Sequence, residues 1–216
     1  MKYDKCPICS SKTYEIFDPS KGSYFSCETC NFIYKNREEI ISIEKEKHIY
    51  NQHHNSIDQE GYVNFLYGFL HNALFPFIKE TKRGLDFGSG PTPVLAEILQ
   101  QYHGCFIDIY DLFYAPIKVY LNKKYDFITS TEVLEHLLDP MSYFNMFYDL
   151  LNDNGVLAIM TLFHPNDDEK FLDWHYRRDW SHVSFYSIET MEYIAEQTGF
   201  EVIYTNNHRY ITFKKK

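Results

Sequence analysis

The chain of 216 residues contains no long apolar run. No stretch approaches the ~18 residues that a membrane-spanning helix requires, and the N-terminal segment MKYDKCPICS lacks the apolar core of a secretory signal. Basic residues are scarce, since the chain has 21 of them and 30 acidic residues. The resulting net charge of −9 disfavours nonspecific binding to nucleic-acid phosphates. We therefore expect a cytoplasmic protein without a membrane partner.

Internal repeats and low-complexity segments are also lacking, which excludes repeat architectures and disordered tails. Hydrophobic residues make up 44% of the chain and charged residues 24%, as is typical of a globular protein. The length is sufficient for one well-buried domain with a small appendage.

Five cysteines are present, and four of them form two C-x2-C pairs. The pairs are Cys6 with Cys9 and Cys27 with Cys30, with 17 residues between them. Because each tight turn supplies two thiolates, two such turns complete the tetrahedral shell of a zinc ion and leave no open position. The pattern predicts a structural zinc ribbon of about 35 residues, too small to fold on its own core; a thioredoxin-like redox pair is the alternative. Cys105 is expected to be a buried apolar residue.

Strands and helices alternate along the chain after residue 81. The sequence predicts strands at GLDF, CFIDIYD, YDFITS and VLAIMTLF, mostly with helices between them, and two closing strands at EVIYTNN and YITFKKK. This alternation is typical of a doubly wound, Rossmann-like α/β sheet, and the last two strands lack room for a crossover helix, so we expect an antiparallel hairpin. We predict a zinc ribbon (1–36), a helical connector and lid (37–80) and the main α/β domain (81–216).

The segment LDFGSGP carries the first functional signal, because Gly88 and Gly90 stand between a predicted strand and a predicted helix. Glycine permits positive φ and lets a ligand approach the backbone, and in an open α/β sheet this point borders the ligand crevice. A dinucleotide fingerprint needs a third glycine at position 93, where the chain has Pro93. Pro91 and Pro93 also lack the N–H donors that a pyrophosphate would use, so such a cofactor is disfavoured.

A cofactor with a ribose but no phosphate fits this segment better. Asp111 ends the next predicted strand, 21 residues after Gly90, and a carboxylate at that place can accept hydrogen bonds from two ribose hydroxyls. Asp86, two residues before the first glycine, can orient the loop or meet a cationic amine. These requirements indicate S-adenosylmethionine, which carries a ribose and an amino-acid tail.

Residues 84–216 contain, in order, the segments LDFGSGP, IYDLFY, YDFITSTEVLEHLLDP, LLNDNGVLAIMT and HVSFYSIETMEYIAEQTGFEV. With these motifs, the region resembles a class I S-adenosylmethionine-dependent methyltransferase and is similar to the ubiquinone-biosynthesis O-methyltransferase-like branch. The resemblance implies a seven-stranded sheet whose last hairpin is antiparallel. It also implies cofactor contacts at Asp86, Gly88, Gly90 and Asp111. To these we add Ser89 and Thr131 as cofactor-binding residues.

Two features depart from the pattern of this family. Tyr125 follows Asp111 by only 14 positions, which shortens or removes the usual helix and third strand. A zinc ribbon also precedes the domain, and it resembles the ribbons of some ribosomal-RNA guanine methyltransferases and some deoxysugar methyltransferases. The ribbon therefore does not select a substrate.

The segment TEVLEHL places Glu132, Glu135 and His136 at positions i, i+3 and i+4, which share one face if the segment is helical. Two carboxylates and an imidazole can ligate Mg²⁺ or Mn²⁺, and the ion could chelate two vicinal hydroxyls of a substrate and lower the pKa of one. The segment resembles that of the small-RNA terminal 2′-O-methyltransferases, which use a further histidine, here His182. The alternative is a capping box in which Thr129 caps the helix and Glu132 closes it.

Residues 162–186 follow a predicted strand at the edge where active sites form, and they contain both tryptophans. His182 or His164 could act as general base for a hydroxyl, since imidazole titrates near neutrality, and we assign catalytic roles to His182 and His136. Arg177 or Arg178 could hold an acidic substrate group; packing of a surface turn is the alternative. A lid over the cofactor is predicted at Tyr50, His53 and His54.

The reaction that we predict is S_N2 methyl transfer from S-adenosylmethionine to a hydroxyl of a small molecule, since the most similar branch methylates hydroxyls. An RNA methyltransferase remains an alternative, with the ribbon as an RNA clamp. Its basic patch would come from Lys2, Lys5, Lys21 and residues 214–216. A non-catalytic protein that binds the cofactor or a partner without turnover is the other alternative.

Overall fold

The computed structural model describes residues 5–52, 55–78 and 82–216. Lys2, predicted for an RNA-binding patch, and His53 and His54, predicted for a lid, lie outside the described residues. Within these three ranges, no helix is both long enough and apolar enough to cross a membrane.

The N-terminal part folds as three antiparallel strands, β1 (Thr13–Asp18), β2 (Gly22–Cys27) and β3 (Ile33–Lys35). A 3-10 turn (Arg37–Glu39) and helix α1 (Ile43–Tyr50) follow. The helix begins at Ser42, whose side chain accepts a hydrogen bond from the Lys45 amide, as Ser commonly does at a helix N-terminus. This short helix lies within residues 37–80, the range predicted as a helical connector and lid.

Helix α2 (Glu60–Phe69) continues as a π-helical turn (Leu70–Leu74) and a 3-10 turn (Phe75–Phe77). Residues 60–77 are thus divided into three helical pieces. Pro76 explains the end of the regular pattern, because proline has no N–H to donate to the preceding turn. Buried side chains of this segment pack on the large sheet and include Leu66, Phe69 and Leu74.

Six strands form the large sheet in the order β5–β4–β6–β7–β10–β9. Their bounds are β4 (Arg83–Phe87), β5 (Phe106–Tyr110), β6 (Tyr125–Thr131), β7 (Leu151–Met160), β9 (Phe200–Thr205) and β10 (Tyr210–Lys215). The first four pair in parallel, and β10 pairs antiparallel with both β7 and β9. The predicted Rossmann-like sheet with a closing antiparallel hairpin is therefore confirmed.

The implied seventh strand is absent from the described part of the chain. Between Asp111 and Tyr125 the chain makes turns, of which the first is a bridge from Asp111 to Ala115, and β5 remains the edge of the sheet. Fourteen positions are too few for a helix and a further strand, since a parallel crossover takes about a dozen residues for the connection alone.

Four helices complete the α/β domain: α3 (Val94–His103), α4 (Pro140–Leu150), α5 (Asp168–Asp173) and α6 (Ile188–Thr198). Helix α6 starts at Ser187, which forms a reciprocal cap with Thr190, and it ends at Gly199 with a φ of +82°, a left-handed stop that glycine adopts without strain. Strand β7 starts at Leu151, directly after α4, and therefore includes the segment NDNG (152–155).

The short strand β8 (Ser184–Phe185) joins the two parts of the chain. It pairs antiparallel with β3 through Ile33 with Phe185 and Tyr34 with Ser184, so the ribbon sheet has the order β1–β2–β3–β8. The ribbon therefore shares a sheet with a strand that lies outside the predicted ribbon range 1–36.

Candidate active site

The glycine loop leaves β4 with two residues in left-handed backbone. Gly88 has a φ of +83° and Gly90 a φ of +68°. At Gly88 a Cβ atom would lie 2.1 Å from the side chain of Val133, so close packing also requires glycine there. At Gly90 a Cβ would meet no described atom within 4 Å. Bare backbone at Gly90 therefore borders open space that a ligand can enter.

Asp111 holds this loop in place. Its Oδ2 accepts a hydrogen bond from the Gly90 amide at 2.9 Å, and its Oδ1 accepts from the amides of Phe113 and Tyr114 at 2.8 and 3.0 Å. A carboxylate offers about four acceptor positions, so one position on Oδ2 remains for a ribose hydroxyl. The predicted cofactor residues Gly88, Gly90 and Asp111 thus lie together at one edge of the sheet.

Asp86 is 2% exposed and accepts a hydrogen bond from the Thr129 hydroxyl at 3.0 Å. Burial raises the pKa of its carboxyl to about 7, the Thr129 bond opposes this rise, and the negative charge of Asp111 adds to it. A buried carboxylate with one neutral donor favours a cationic partner. The amine of an amino-acid tail would be such a partner.

Ser89 contributes a buried hydroxyl whose Oγ has no hydrogen-bond partner among the described residues. Beside the loop lies a cavity of about 360 Å³, lined by residues that include Asn51, Gln59, Pro91 and Tyr114. Thr131 ends β6, the strand that pairs in parallel with β4. An orphaned hydroxyl, open backbone and a buried acid fit a polar, cation-bearing cofactor without phosphates.

The chain leaves β6 through a left-handed residue. Glu132 has a φ of +54°, its amide donates to the Met160 carbonyl at 2.8 Å, and a 3-10 turn (Leu134–His136) follows. The helix predicted over TEVLEHL is therefore wrong, as is the alternative capping box, because the Thr129 hydroxyl contacts Asp86 instead. A left-handed non-glycine residue costs about 1–2 kcal/mol, and such strain is common at functional sites.

The buried Glu135 and the partly buried Glu132 meet at the hydroxyl of Tyr176. This oxygen lies 2.5 Å from Glu135 Oε1 and 3.1 Å from Glu132 Oε2, and Thr161 donates to Glu135 Oε2 at 2.9 Å. Burial raises the pKa of both carboxyls, to about 8 for Glu135, whose neighbour Glu132 adds to the rise. A phenol has one proton, so it can donate to one glutamate at a time. Glu132 Oε1 is buried and has no partner among the described residues.

Glu135, His136 and His182 offer three candidate metal-ligand atoms within 4.8 Å of one another. His182 Nδ1 lies 2.7 Å from the Tyr176 carbonyl, and His136 Nδ1 lies 3.1 Å from the Ser181 carbonyl. Because a carbonyl oxygen accepts, each ring donates from Nδ1, and in the neutral imidazole Nε2 then keeps its lone pair. Two imidazole nitrogens and one carboxylate oxygen are a donor set that suits a divalent transition metal.

The structure thus brings together three of the four predicted ligands of a catalytic metal. Among the described residues, Glu132 does not belong to this cluster of candidate ligands. Its left-handed backbone changes the direction of the chain before Glu135. Tyr176, which contacts both glutamates, was missed by the sequence analysis, because nothing in the segment WHYRRDW distinguishes it from its aromatic neighbours.

Helix α1 contacts both His136 and the segment that follows Asp111. Glu46 Oε1 lies 3.6 Å from His136 Nδ1, and the ring of Tyr50 lies 5.1 Å from the ring of His136 and 5.7 Å from that of Phe113. Burial raises the pKa of the Glu46 carboxyl to about 7. Tyr50, which was predicted for a lid over the cofactor, thus lies against His136 and Phe113. Glu46 was missed because it stands in a charged run without a motif.

His164 and Arg177 hold the loop over residues 162–186 in place. The Asn166 amide donates to His164 Nδ1 at 3.2 Å, and His164 Nε2 donates to the Asn31 carbonyl at 2.7 Å. Burial lowers the pKa of His164 to about 4, so the base role predicted for it does not fit. Arg177 is 5% exposed and forms an ion pair with Asp18, which supports the packing alternative.

The four cysteines of the two pairs converge on one point. Cys6 Sγ lies 3.5 Å from Cys30 Sγ, and Cys9 Sγ lies 3.3 Å from Cys27 Sγ; the four sulfurs all lie within 4.8 Å of one another. A tetrahedral zinc ion with Zn–S bonds of about 2.3 Å separates its sulfurs by about 3.8 Å. The cluster is therefore compatible with zinc, and the thiol of Cys30 lowers the pKa of Cys6 to about 6.

A family model described as a methyltransferase domain matches residues 62–205, which is more than half of the chain. No curated protein matches the sequence.

Several solved structures share the fold. They include mitomycin 7-O-methyltransferase, with 11% identity, coverage of 63% of this chain and 49% of that chain, and a TM-score of 0.51. An O-methyltransferase family protein from Burkholderia thailandensis has 11% identity, coverage of 73% and 56%, and a TM-score of 0.50. Coclaurine N-methyltransferase bound to N-methylheliamine and S-adenosylhomocysteine has 14% identity, coverage of 70% and 52%, and a TM-score of 0.50. The chain spans about half the length of these three proteins.

Proposed function

We propose, from the premise that this chain belongs to the methyltransferase domain family, that it methylates a hydroxyl group of a small molecule. It is a methyltransferase with a Rossmann-like fold, and the acceptor is the part that we propose. Similar folds occur in O- and N-methyltransferases alike, so the argument for a hydroxyl rests on the chain's own residues.

S-adenosylmethionine, when bound, supplies an electrophilic methyl group on a sulfonium. We assign the cofactor to the edge formed by Gly88, Ser89 and Gly90, with the remaining acceptor position of Asp111 for a ribose hydroxyl. The buried carboxylate of Asp86 suits the cationic amine of the amino-acid tail. Thr131 lines the same edge where β6 ends. The observation that carries this assignment is the open, left-handed backbone at Gly90, held by Asp111 at 2.9 Å.

A hydroxyl acceptor must lose its proton during the transfer, and the cluster of Glu135, His136 and His182 supports that task. We propose that these three residues hold a divalent cation such as Mn²⁺ or Mg²⁺. A metal bound there would lower the pKa of a coordinated hydroxyl. Both imidazoles donate from Nδ1 to backbone carbonyls, which orients Nε2 toward the ion.

A small acceptor is favoured over RNA by two observations. The chain carries a net charge of −9, which opposes binding to phosphates, and the edge of the ribbon at β3 is already paired with β8. We also propose a structural zinc ion at the four cysteines. Paired thiolates suit a reducing compartment, which supports a cytoplasmic location.

The cofactor assignment is tested by calorimetric titration with S-adenosylhomocysteine. Gly90→Ala puts a methyl group into the space assigned to the cofactor, so we expect its affinity to fall about tenfold or more. The matched control is Gly104→Ala, because Gly104 has a similar φ of +64° and likewise no described atom within 4 Å of a built Cβ. Equal affinities in the two variants, or no binding to the unmodified protein, would refute the assignment.

The metal is tested by electron paramagnetic resonance with Mn²⁺ as the probe. We expect one bound ion per chain, loss of it in His182→Ala, and retention in His175→Ala, which changes an exposed histidine of the same loop. If Mn²⁺ binds equally to both variants, the cluster is not a metal site, and Nε2 of His182 is then the group left to accept the acceptor's proton.

A further inference from the structure

The zinc ribbon and the methyltransferase domain are connected at the acceptor side of the active site. We propose that the four-cysteine cluster positions this side, and that the cofactor side does not depend on it. The acceptor side is defined here as Glu135, His136, Tyr176 and His182, and the cofactor side as residues 86–90 with Asp111. The names of the two sides rest on the proposed function, whereas the coupling rests on the contacts described below.

The first connection is a ladder of backbone hydrogen bonds through a single residue. The Val183 carbonyl accepts from the Lys35 amide at 2.9 Å, and the Val183 amide donates to the Glu135 carbonyl at 2.8 Å. Val183 follows His182 directly and precedes β8. The ribbon strand β3 is therefore linked to Glu135 through one peptide unit on each side of Val183.

The second connection begins at the cysteine cluster itself. Cys30 and Asn31 lie in the turn that carries the second cysteine pair, and Asn31 has a φ of +55°. His164 donates to the Asn31 carbonyl at 2.7 Å, and the Thr190 hydroxyl donates to the Cys30 carbonyl at 2.7 Å. Thr190 also belongs to the cap of α6, because its side chain accepts from the Ser187 amide at 3.2 Å. The two carbonyls thus hold the segments on both sides of β8.

The third connection holds the loop that carries Tyr176. Arg177 forms an ion pair with Asp18 at the end of β1, and Lys21 donates to the Arg178 carbonyl at 3.4 Å. Tyr176 stands next to Arg177, and its carbonyl orients the His182 ring at 2.7 Å. The turn between β1 and β2 therefore supports the residue that contacts Glu135.

The cofactor side has its own set of hydrogen bonds, although Leu85 and Phe87 of β4 share one hydrophobic core with ribbon residues such as Phe32. The Gly88 amide donates to the Tyr110 carbonyl at 2.7 Å, and the Gly90 amide donates to Asp111. Within the described ranges, no hydrogen bond joins the ribbon, residues 5–36, to residues 83–111. A loss of order in the ribbon would therefore reach Glu135 and His182 before it reaches the glycine loop.

The cause of the coupling is the small size of the ribbon. A segment of this length has too little core of its own to hold its turns, and a metal at the four cysteines would supply the missing free energy. Cys30 and its neighbour Asn31 keep their carbonyls in place only while their turn is ordered. His164 and Thr190 are accordingly positioning residues, since they act through the ribbon and β8.

Hydrogen exchange measured by mass spectrometry tests the proposal on the full chain. Thr190→Val removes the hydroxyl that reaches Cys30, and we expect exchange of the amides of residues 182–185 to speed up on the order of tenfold. Exchange of residues 84–90 and the affinity for S-adenosylhomocysteine should change less than about twofold. The matched control is Thr198→Val on the same helix, because the Thr198 hydroxyl donates to the Ile194 carbonyl and stays within α6.

A second pair of variants covers the case in which Thr190→Val fails to fold. His164→Leu removes the donor to Asn31, and His164→Gln restores an N–H at a similar distance, so we expect fast exchange at 182–185 in the first variant and rescue in the second. Zinc content, measured by elemental analysis, should remain in both. Unchanged exchange at 182–185, or an equal increase at 84–90, would overturn the coupling. Failure of the unmodified protein to bind S-adenosylhomocysteine would instead refute the proposed function.

Discussion

The Tyr176 hydroxyl donates a hydrogen bond to Glu135 at 2.5 Å, across 41 positions of the chain. The same hydroxyl lies 3.1 Å from Glu132, so it stands between the fully buried carboxyl of Glu135 and the partly buried carboxyl of Glu132. Each of these glutamates would otherwise face the other in a medium of low dielectric constant, where like charges repel strongly.

Tyr176→Phe is therefore expected to lower the free energy of unfolding by about 1–3 kcal/mol, because buried carboxyl oxygens lose their donor. Urea unfolding followed by circular dichroism measures this. Tyr186→Phe is the matched control, since the Tyr186 hydroxyl donates to the Leu134 carbonyl at 2.9 Å in the same region without touching a carboxylate. A smaller loss for Tyr176→Phe than for the control would contradict the role of the hydroxyl.

Asp86 should make the cofactor-free protein sensitive to pH. Its pKa is about 7 in the folded state and about 4 when unfolded. Between about pH 4 and pH 7, Asp86 therefore holds a proton in the folded state that it has lost in the unfolded state. Stability is then full below about pH 4, falls as the pH rises through 7, and stays low above it. We expect Asp86→Asn to reduce the drop in melting temperature between pH 6 and pH 8. An unchanged drop would mean that Asp86 is already ionised at pH 6.

Asp111→Asn replaces one carboxylate oxygen by an amide nitrogen and removes the negative charge of the side chain that accepts from the amides of Gly90, Phe113 and Tyr114. We expect the affinity for S-adenosylhomocysteine to fall about tenfold or more, because both the loop anchor and the acceptor for a ribose hydroxyl weaken. Asp108→Asn is the control within β5, the strand that Asp111 directly follows, because the Asp108 carboxylate pairs with Arg83 and Lys123 instead. Calorimetric titration separates the two, and a similar loss in both variants would speak against a specific role for Asp111.

The cysteine cluster should bind about one zinc ion per chain. Cys9→Ser is expected to remove it and to lower the melting temperature, because the ribbon loses the metal that orders it. Cys105→Ser is the control, since Cys105 is buried outside the cluster. Elemental analysis and thermal unfolding measure both effects, and full zinc content in Cys9→Ser would contradict the four-thiolate site.

Local chemistry made several features predictable. Gly88, Gly90 and the neighbouring prolines signal a bend with exposed backbone, since glycine alone adopts positive φ freely and proline lacks a donor. The cysteine spacing predicts the cluster that the structure brings together. The helix predicted at residues 132–136 is wrong. The spacing of Glu132, Glu135 and His136 is compatible with a helix, but the Glu132 amide donates to the Met160 carbonyl instead of starting a helix.

The amino-acid sequence by itself determined the alternation of strands and helices, the loop at Gly90 and the four-cysteine spacing, because each depends on residues within one or two turns of chain. The tertiary structure alone decided which groups share the active site. Lys35, Val183 and Glu135 form one ladder, and His182 meets Glu135 and His136, across separations of up to 148 positions. Such contacts follow from how the sheets pack, and no local pattern encodes them.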